Sequence, residues 1–330
     1  MVLVAVLFFV LLSSATIATF LSRATVDGFS AVNRDDAARA EALARGGVRL
    51  AIAALLADRV LESQEQFEAD SALDGWAQLA AVPFELPDGG LLRVRVEDAG
   101  TKLNLNSLFT EGEPRDEATE IFLGELLTKV IDEIPVRPEH KLYDVEALAQ
   151  NLIDWVDADD VRIAGGAEDE YYQAQQPPYR AANLPLLSVD ELRLIQGFDS
   201  QLVNALVPYV DVQPIVNADG VNPNTAPDWV LALLYHGVAG SRRLADEDTV
   251  RRILDIREQN GILCADEANN PACTPLREAI EGEVFPPPTF HSRVFRVTAE
   301  ARYREVRRTV EAVVDRSDAK SPAVLSFRVR

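Results

Sequence analysis

The chain has 330 residues, 48% hydrophobic and 26% charged, enough for one long apolar element and two ordinary domains. A formal net charge of −21 opposes nucleic-acid backbones and anionic membrane surfaces, and suits a solvated face or divalent cations. Acid and base are unevenly spread: residues 111–170 hold eighteen acidic side chains against five basic, and residues 291–330 hold ten basic against five acidic.

Residues 1–22 contain no charge, a run long enough to cross a ~30 Å hydrocarbon core as a helix. Arg23 ends that run. Leu43, Gly47, Leu50 and Ala54 then recur at four-three-four spacing, and no proline precedes Pro83. The pattern predicts one helix to about Asp58, its first third in lipid and its last third packed on a soluble domain. A cleaved secretory signal would carry a basic start and a shorter apolar core. The absent basic flank implies a leader already removed or a start assigned too late. Gly46-Gly47 marks either a kink in this helix or a place where a strand or neighbouring helix packs closely.

Trp76, Leu79 and Val82 are expected to pack back on the helix. Asp88-Gly89-Gly90 signals a tight turn, and Leu92, Val94 and Val96 alternate with Arg93, Arg95 and Glu97 as a half-buried strand. Leu103 and Leu105 alternate with Asn104 and Asn106. Helical periodicity then takes over. Ile121 to Ile131 and Val145 to Val156 mark two helices, and Ser188 with Glu191 forms a capping box. Asn224-Thr225-Ala226-Pro227 starts a further helix, and Val250 to Ile256 marks another. After Pro286-Pro287-Pro288, alternation returns at Val294–Ala299, 306–315 and 324–329. Strands flanking a helical block predict a sheet-bearing domain that carries an inserted helical one.

Cys264 and Cys273 lie nine apart with no histidine or third cysteine near enough to complete a zinc site. They read as a disulfide beyond a membrane, or as free thiols in a reducing compartment. His140, His236 and His291 are isolated, and neither a phosphate-binding glycine loop nor a nucleophile elbow is found, so no enzyme is expected.

The densest polar cluster is DWVDADD, residues 154–160, followed by GGAEDEYY, residues 165–172. Carboxylates this crowded repel unless a cation or water screens them. Asp157, Asp159 and Glu168 stand at positions one, three and twelve of a calcium-loop arrangement. The match stops there, because Val161 holds position five and Arg162 the glycine position. A solvated acidic loop capping helix ends is the alternative. Asp154 with Asp157 also has the form of an acid/base pair, with nothing else in support. The stretch from Asn222 to Glu258 resembles helix-hairpin-helix units, but its hairpin YHGVAGSRRLADED lacks a compact glycine turn.

The apolar start, FELPDGGLLRVRVEDAGTKLNLNSL, the block DWVDADD…GGAEDEYY…PPYRAANLPLLSVDELRLI and VNPNTAPDWVLALL occur in that order. Together they resemble the K-type minor pseudopilins of the type II secretion system. The resemblance implies an α+β fold: a pilin-like N-terminal long helix on a small antiparallel sheet, with a large inserted all-helical domain of helix-hairpin-helix or SAM-like shape. The expected divisions are 1–22 for the membrane-crossing part, 23–109 for the first pilin-like part, 110–285 for the insert and 286–330 for the closing strands. It implies a short basic leader cut by a prepilin peptidase, with Met1 as the N-methylated first residue. Pilin-like subunits mostly carry glutamate at position five; Ala5 here implies a place at the fibre tip. The remaining implications are an inner-membrane anchor with a periplasmic head, and assembly with I-type and J-type minor pseudopilins. Others are Ca2+ held by Asp157, Asp159, Glu168 and Asp169, and no nucleic-acid binding. A membrane-anchored, DNA-binding helix-hairpin-helix protein of a competence-like system is the alternative reading.

Overall fold

The structure is a computed structural model that describes residues 2–62, 69–134, 143–213, 218, 220–259, 261–265, 272–318 and 322–330. Met1, the expected processing site, lies outside the described residues. Helix α1 spans Val2–Glu62 without interruption. At 1.5 Å per residue that is about 90 Å. Its first half stands clear of the rest of the chain, with Phe8, Phe9, Phe20 and Phe29 all exposed. This is the part long and apolar enough to cross a membrane. Burial begins on the charged second half. Ala40, Ala44, Val48, Ala51 and Leu55 recur every three or four residues and form the stripe that meets the sheet.

The sheet has five strands in sequential order. They are β1 (Phe84–Glu85), β2 (Gly90–Asp98), β3 (Val294–Tyr303), β4 (Val306–Asp315) and β5 (Ala323–Val329). All neighbours are antiparallel, and β3 pairs directly with β2 in the register Val297↔Val96. The late strands therefore complete the sheet that starts near Leu91, as the returning alternation predicts. One face of β2, β3 and β4 is apolar: Val94, Val96, Val297, Ala299, Val310, Ala312 and Val314 are buried against α1.

The glycine pair is resolved by this packing. A Cβ on Gly47 would lie 2.8 Å from the Ala299 Cβ and 2.9 Å from the Leu92 Cδ1, whereas one on Gly46 meets nothing within 4 Å. So α1 does not need both glycines. It needs Gly47, where helix and sheet approach most closely. The short helix α2 (Gly75–Gln78) places Trp76 in the same core, edge-on to Phe295 at 5.1 Å. Leu79 packs beside it. Val82 does not join them and is 69% exposed, because the chain has turned toward β1.

A second core lies between β2 and β3 in sequence. Its helices are α3 (Thr119–Asp132), α4 (Val145–Val156), α5 (Asp169–Gln173), α6 (Ser200–Leu206), α7 (Asp228–Leu231) and α8 (Glu247–Glu258). Phe122, Leu126, Leu152, Tyr172, Leu202 and Ile253 meet in its interior. The insert is helix-dominated as expected, and it also contains short β ribbons that the all-helical reading omits. One of them, Tyr235–Gly237 between Arg243–Leu244 and Glu283–Phe285, fills the connection from α7 to α8. That connection is therefore a ribbon and not the compact glycine turn with which a hairpin grips phosphate. The alternation after Leu103 is likewise brief: Leu103–Asn104 is extended and Leu105–Leu108 is a 3-10 turn. The capping box at Ser188 also takes another form. Val189–Leu194 is 3-10, the Ser188 hydroxyl caps nothing, and Glu191 accepts from the Leu187 amide and the Trp155 indole. Cys264 and Cys273 are joined as a disulfide.

The two cores meet through a buried polar joint. The Asp98 carboxylate at the end of β2 accepts from Asn222, from the Thr225 hydroxyl at 2.6 Å and from the Gly100 amide. Asn222 also donates to the Asp70 carbonyl. Nearby, Arg316 is wholly buried. It lies over the Phe295 ring, donates to the Ser292 carbonyl and pairs with Asp58 of α1 and with Asp70.

Candidate metal centre

Helix α4 begins with the Asp144 side chain accepting from the Ala147 amide. Its apolar face sinks into the insert core, so its final turn carries Asp154, Trp155 and Val156 inside with Asp157 as the C-cap. The chain then loops out through Asp159 and returns over the helix end to Glu168, the N-cap of α5. The return path is narrow. A Cβ on Gly166 would overlap the Asp154 Oδ2, at 1.7 Å, and one on Gly165 would sit 2.3 Å from the Gln150 Oε1. Two residues without Cβ are what allow the loop to close across these side chains. Asp154 is the post it closes on, accepting from the Ile163 and Ala167 amides. On the outer side, Asn183 donates to the Asp159 carbonyl and the Asp160 carboxylate.

This arrangement brings Asp157, Asp159 and Glu168 together, with one carboxylate oxygen of each within 4.8 Å of the others. Asp157 and Glu168 are buried, at 5% and 6% exposure, and Asp159 is exposed. Among the described residues the Asp157 Oδ1 and both Glu168 carboxylate oxygens have no donor at hydrogen-bond geometry, although the adjacent Asp169 amide acts against the upward shift of Glu168. Burial, reinforced by the neighbouring carboxylates, pushes Asp157 up to about 7. Burial, with Asp154 next, pushes Glu168 up to about 7 as well. Asp154 is raised to about 6, chiefly by burial and against the pull of its amide donors.

The described residues contain one other carboxylate group as tight, Asp58, Asp70 and Asp74. There the guanidinium of Arg316 stands between Asp58 and Asp70. The contrast is informative. One cluster has a built-in cation and the other has buried oxygens without donors, held in a loop closed around them. Hard oxygen donors in that state fit a divalent cation such as Ca2+. Asp169, expected as a fourth ligand, is not brought into the group: it accepts from Gln173 and from the Ala181 amide and faces Arg180. The spacing of acidic residues indicates the three clustered groups. It does not indicate the supports, Asp154, Asn183 and the Gly165-Gly166 pair, although two adjacent glycines a few residues after an acidic run are a legible sign of a tight return.

A long helix whose second half lies along one face of an antiparallel sheet, with a helical domain inserted between adjacent strands, defines a pilin-like α+β fold. The family model for type II secretion system (T2SS) protein K matches residues 101–215, which include the whole candidate site. Protein K of Pseudomonas aeruginosa is 33% identical over 226 residues, 68% of this chain and 62% of that protein. Protein K of Klebsiella pneumoniae is 33% identical over 193 residues, 57% and 56% of the two chains. The chain thus spans about three fifths of the length of these relatives. Among solved structures, a chain of the GspK-GspI-GspJ complex from the enterotoxigenic Escherichia coli type 2 secretion system aligns with a TM-score of 0.60. That alignment covers 91% of this chain and 99% of the other at 23% identity, a likeness of fold. Over part of its length the chain is similar to type II secretion system protein K, and the pilin-like α+β class expected from its sequence is the one observed.

Proposed function

We propose that the chain works as a minor pseudopilin of a type II secretion system, a structural subunit without catalytic chemistry. The observation that carries this reading is the combination on one chain of two parts. One is an exposed apolar helix continuous with the sheet-packed spine. The other is the inserted domain that matches the protein K model. The helix holds the subunit in the inner membrane and afterwards packs into a fibre, while the head lies on the periplasmic side. The disulfide and the acidic insert suit an oxidising, calcium-containing compartment.

Placement at the tip of the pseudopilus, starting its assembly with I-type and J-type partners, is the finer form of the proposal. It draws support from Ala5, which leaves the subunit without the acid that would meet the N-terminus of a subunit above it. It also draws support from the size of the insert, which adds a second core to one end of the sheet. Ca2+ is the cofactor proposed for Asp157, Asp159 and Glu168, where it would supply charge neutralisation that lets the loop close with all three ionised. Met1 would be the processed, N-methylated residue.

The test is a size-exclusion and pull-down experiment with the soluble head and the I- and J-type heads, run in calcium and in chelator. A ternary complex supports the assembly reading, and its loss in chelator ties the acidic loop to assembly. Failure of every combination to associate overturns it. In cells, Ala5→Glu is expected to disturb secretion or fibre length; normal values for both overturn the tip placement.

A further inference from the structure

The sheet face that α1 covers does not end at β4. Val310, Ala312 and Val314 of β4 are buried, and their partners across the ladder are Val329, Phe327 and Val324 of β5. Directly paired residues share a face, so β5 carries the apolar surface one strand further. Among the described residues only the Arg45 side chain of α1 reaches over it, at Phe327, and much of it stays open: Phe327 is 43% exposed and Val324 46%. β5 is also an edge strand, seven residues long, apolar, with no described partner beyond it. Natural sheets cover or charge such an edge. The walls of this shelf are basic. The Arg45 guanidinium lies 4.9 Å from the Phe327 ring centroid, already paired with Glu41. Arg49, one turn further along α1, is exposed and has no ion-pair partner among the described residues. Arg308 sits on the same face of β4 as Val310, at the other end of the shelf.

We infer that this shelf seats an amphipathic helix of a partner subunit. The apolar side of that helix lies on Val324, Phe327 and Val329, and its carboxylates reach Arg49 and Arg308. The inference rests on the assembly reading above and adds the surface that the partner uses and the chemistry that selects it. A helix fits better than a strand, because the open space lies above the face, in the layer that α1 occupies over β2, β3 and β4. Charge decides between partners. In a chain of net charge −21 this basic rim selects an acidic one, whereas the β5 strand of a second copy carries no carboxylate to meet the rim.

The experiment measures affinity of the full-length chain for full-length I- and J-type partners in detergent micelles. The variants are Phe327→Asp, Arg49→Glu and the control Ser326→Asp, which alters the opposite face of β5. Phe327→Asp is expected to weaken one partner by about tenfold or more. Arg49→Glu should weaken it several-fold at low salt, with the difference fading near about 0.5 M salt. Ser326→Asp should bind as the parent does. Thermal melts show which variants fold; if Phe327→Asp does not, Arg49→Glu on the exposed helix surface decides alone. Parental affinity for Arg49→Glu at low salt and for any folded Phe327→Asp overturns the shelf and leaves the assembly reading standing. A parent chain that binds neither partner overturns the assembly reading, and the shelf's occupant with it.

Discussion

The acidic loop makes a prediction about pH that runs opposite to the usual behaviour of carboxylates. In chelator, Asp157 is raised from 3.8 to about 7 and Glu168 from 4.5 to about 7. For a group whose carboxyl pKa is raised on folding, folded and unfolded chains are both protonated below pH 4, and no stability is lost. Above that the unfolded chain ionises freely while the folded one holds its protons, so stability falls between about pH 4 and pH 7 and is level beyond. At 1.36 kcal/mol per unit, the two shifts taken singly are worth about 4 and about 3 kcal/mol. The groups face one another, so a proton on either relieves both; one shared proton is then worth about 4 kcal/mol over the whole window, of which about 3 kcal/mol falls between pH 5 and pH 7. For a head of this size that is a fall in Tm of roughly 6–12 °C between pH 5 and pH 8. Calcium should abolish the fall by stabilising the ionised forms. Asp157→Asn with Glu168→Gln should abolish it too, raising Tm at pH 8 in chelator while removing any response to calcium. The assay is differential scanning fluorimetry of the soluble head across pH, with calcium and with chelator. A parent Tm that is flat from pH 5 to pH 8 in chelator, or a calcium shift equally large in the double variant, would refute the reasoning.

Three further perturbations separate the parts of the fold. Gly47→Val should cost about 1–3 kcal/mol, because its Cβ would press on Ala299, Leu92 and Val94, whereas Gly46→Ala should stabilise by up to about 1 kcal/mol; denaturant unfolding of the two variants reads the difference. Asp98→Ala strips the partner from Asn222 and Thr225 at the joint and should cost about 2–4 kcal/mol, with unfolding of insert and sheet becoming separable by calorimetry. Reduction of the Cys264–Cys273 bridge should cost roughly 2–3 kcal/mol and change the mass of the alkylated peptide; free thiols in chain purified without reductant would reject the pairing.

The elements legible in the sequence were those with a long, one-sided period. The helix at Val145–Val156 and the strand at Val306–Asp315 are observed with the boundaries expected: the helix carries a regular apolar period over three turns, and the strand alternates, with Val310, Ala312 and Val314 buried between less buried neighbours. The short elements of the insert were not legible. Tyr235–Gly237 forms a strand because Glu283–Phe285 and Arg243–Leu244 flank it, and two or three residues carry no period of their own. Glu191 shows the same limit: its distance from Ser188 suggests a capping box, but the indole of Trp155 is a competing donor that only tertiary structure supplies. The site divides in the same way. Acid spacing names Asp157, Asp159 and Glu168, while the buried Arg316 that neutralises the other acidic cluster lies 246 residues from Asp70 and leaves no local signal.

How a helical domain interrupts a sheet without disturbing it follows from one register. The strand that leaves for the insert ends at Asp98, and the strand that returns begins opposite it, with Phe295 facing Asp98 across the ladder. Exit and entry are thus cross-strand neighbours, about 5 Å apart at Cα. A chain of any length whose ends meet at that separation is compatible with the same five strands, and the closure entropy of so long a loop grows only slowly with its length. What the insert must supply is a closing contact at its own base, and the polar joint does so: Asn222 and Thr225, deep in the inserted sequence, donate to Asp98, while the Asn222 amide bonds the Gly100 carbonyl. The sheet and α1 can therefore keep their mutual packing whatever the insert contains, and the acidic loop can diverge within the insert. The acidic stretch 111–170, eighteen acids against five bases, and the basic stretch 291–330, ten bases against five acids, fall largely on the two sides of that joint.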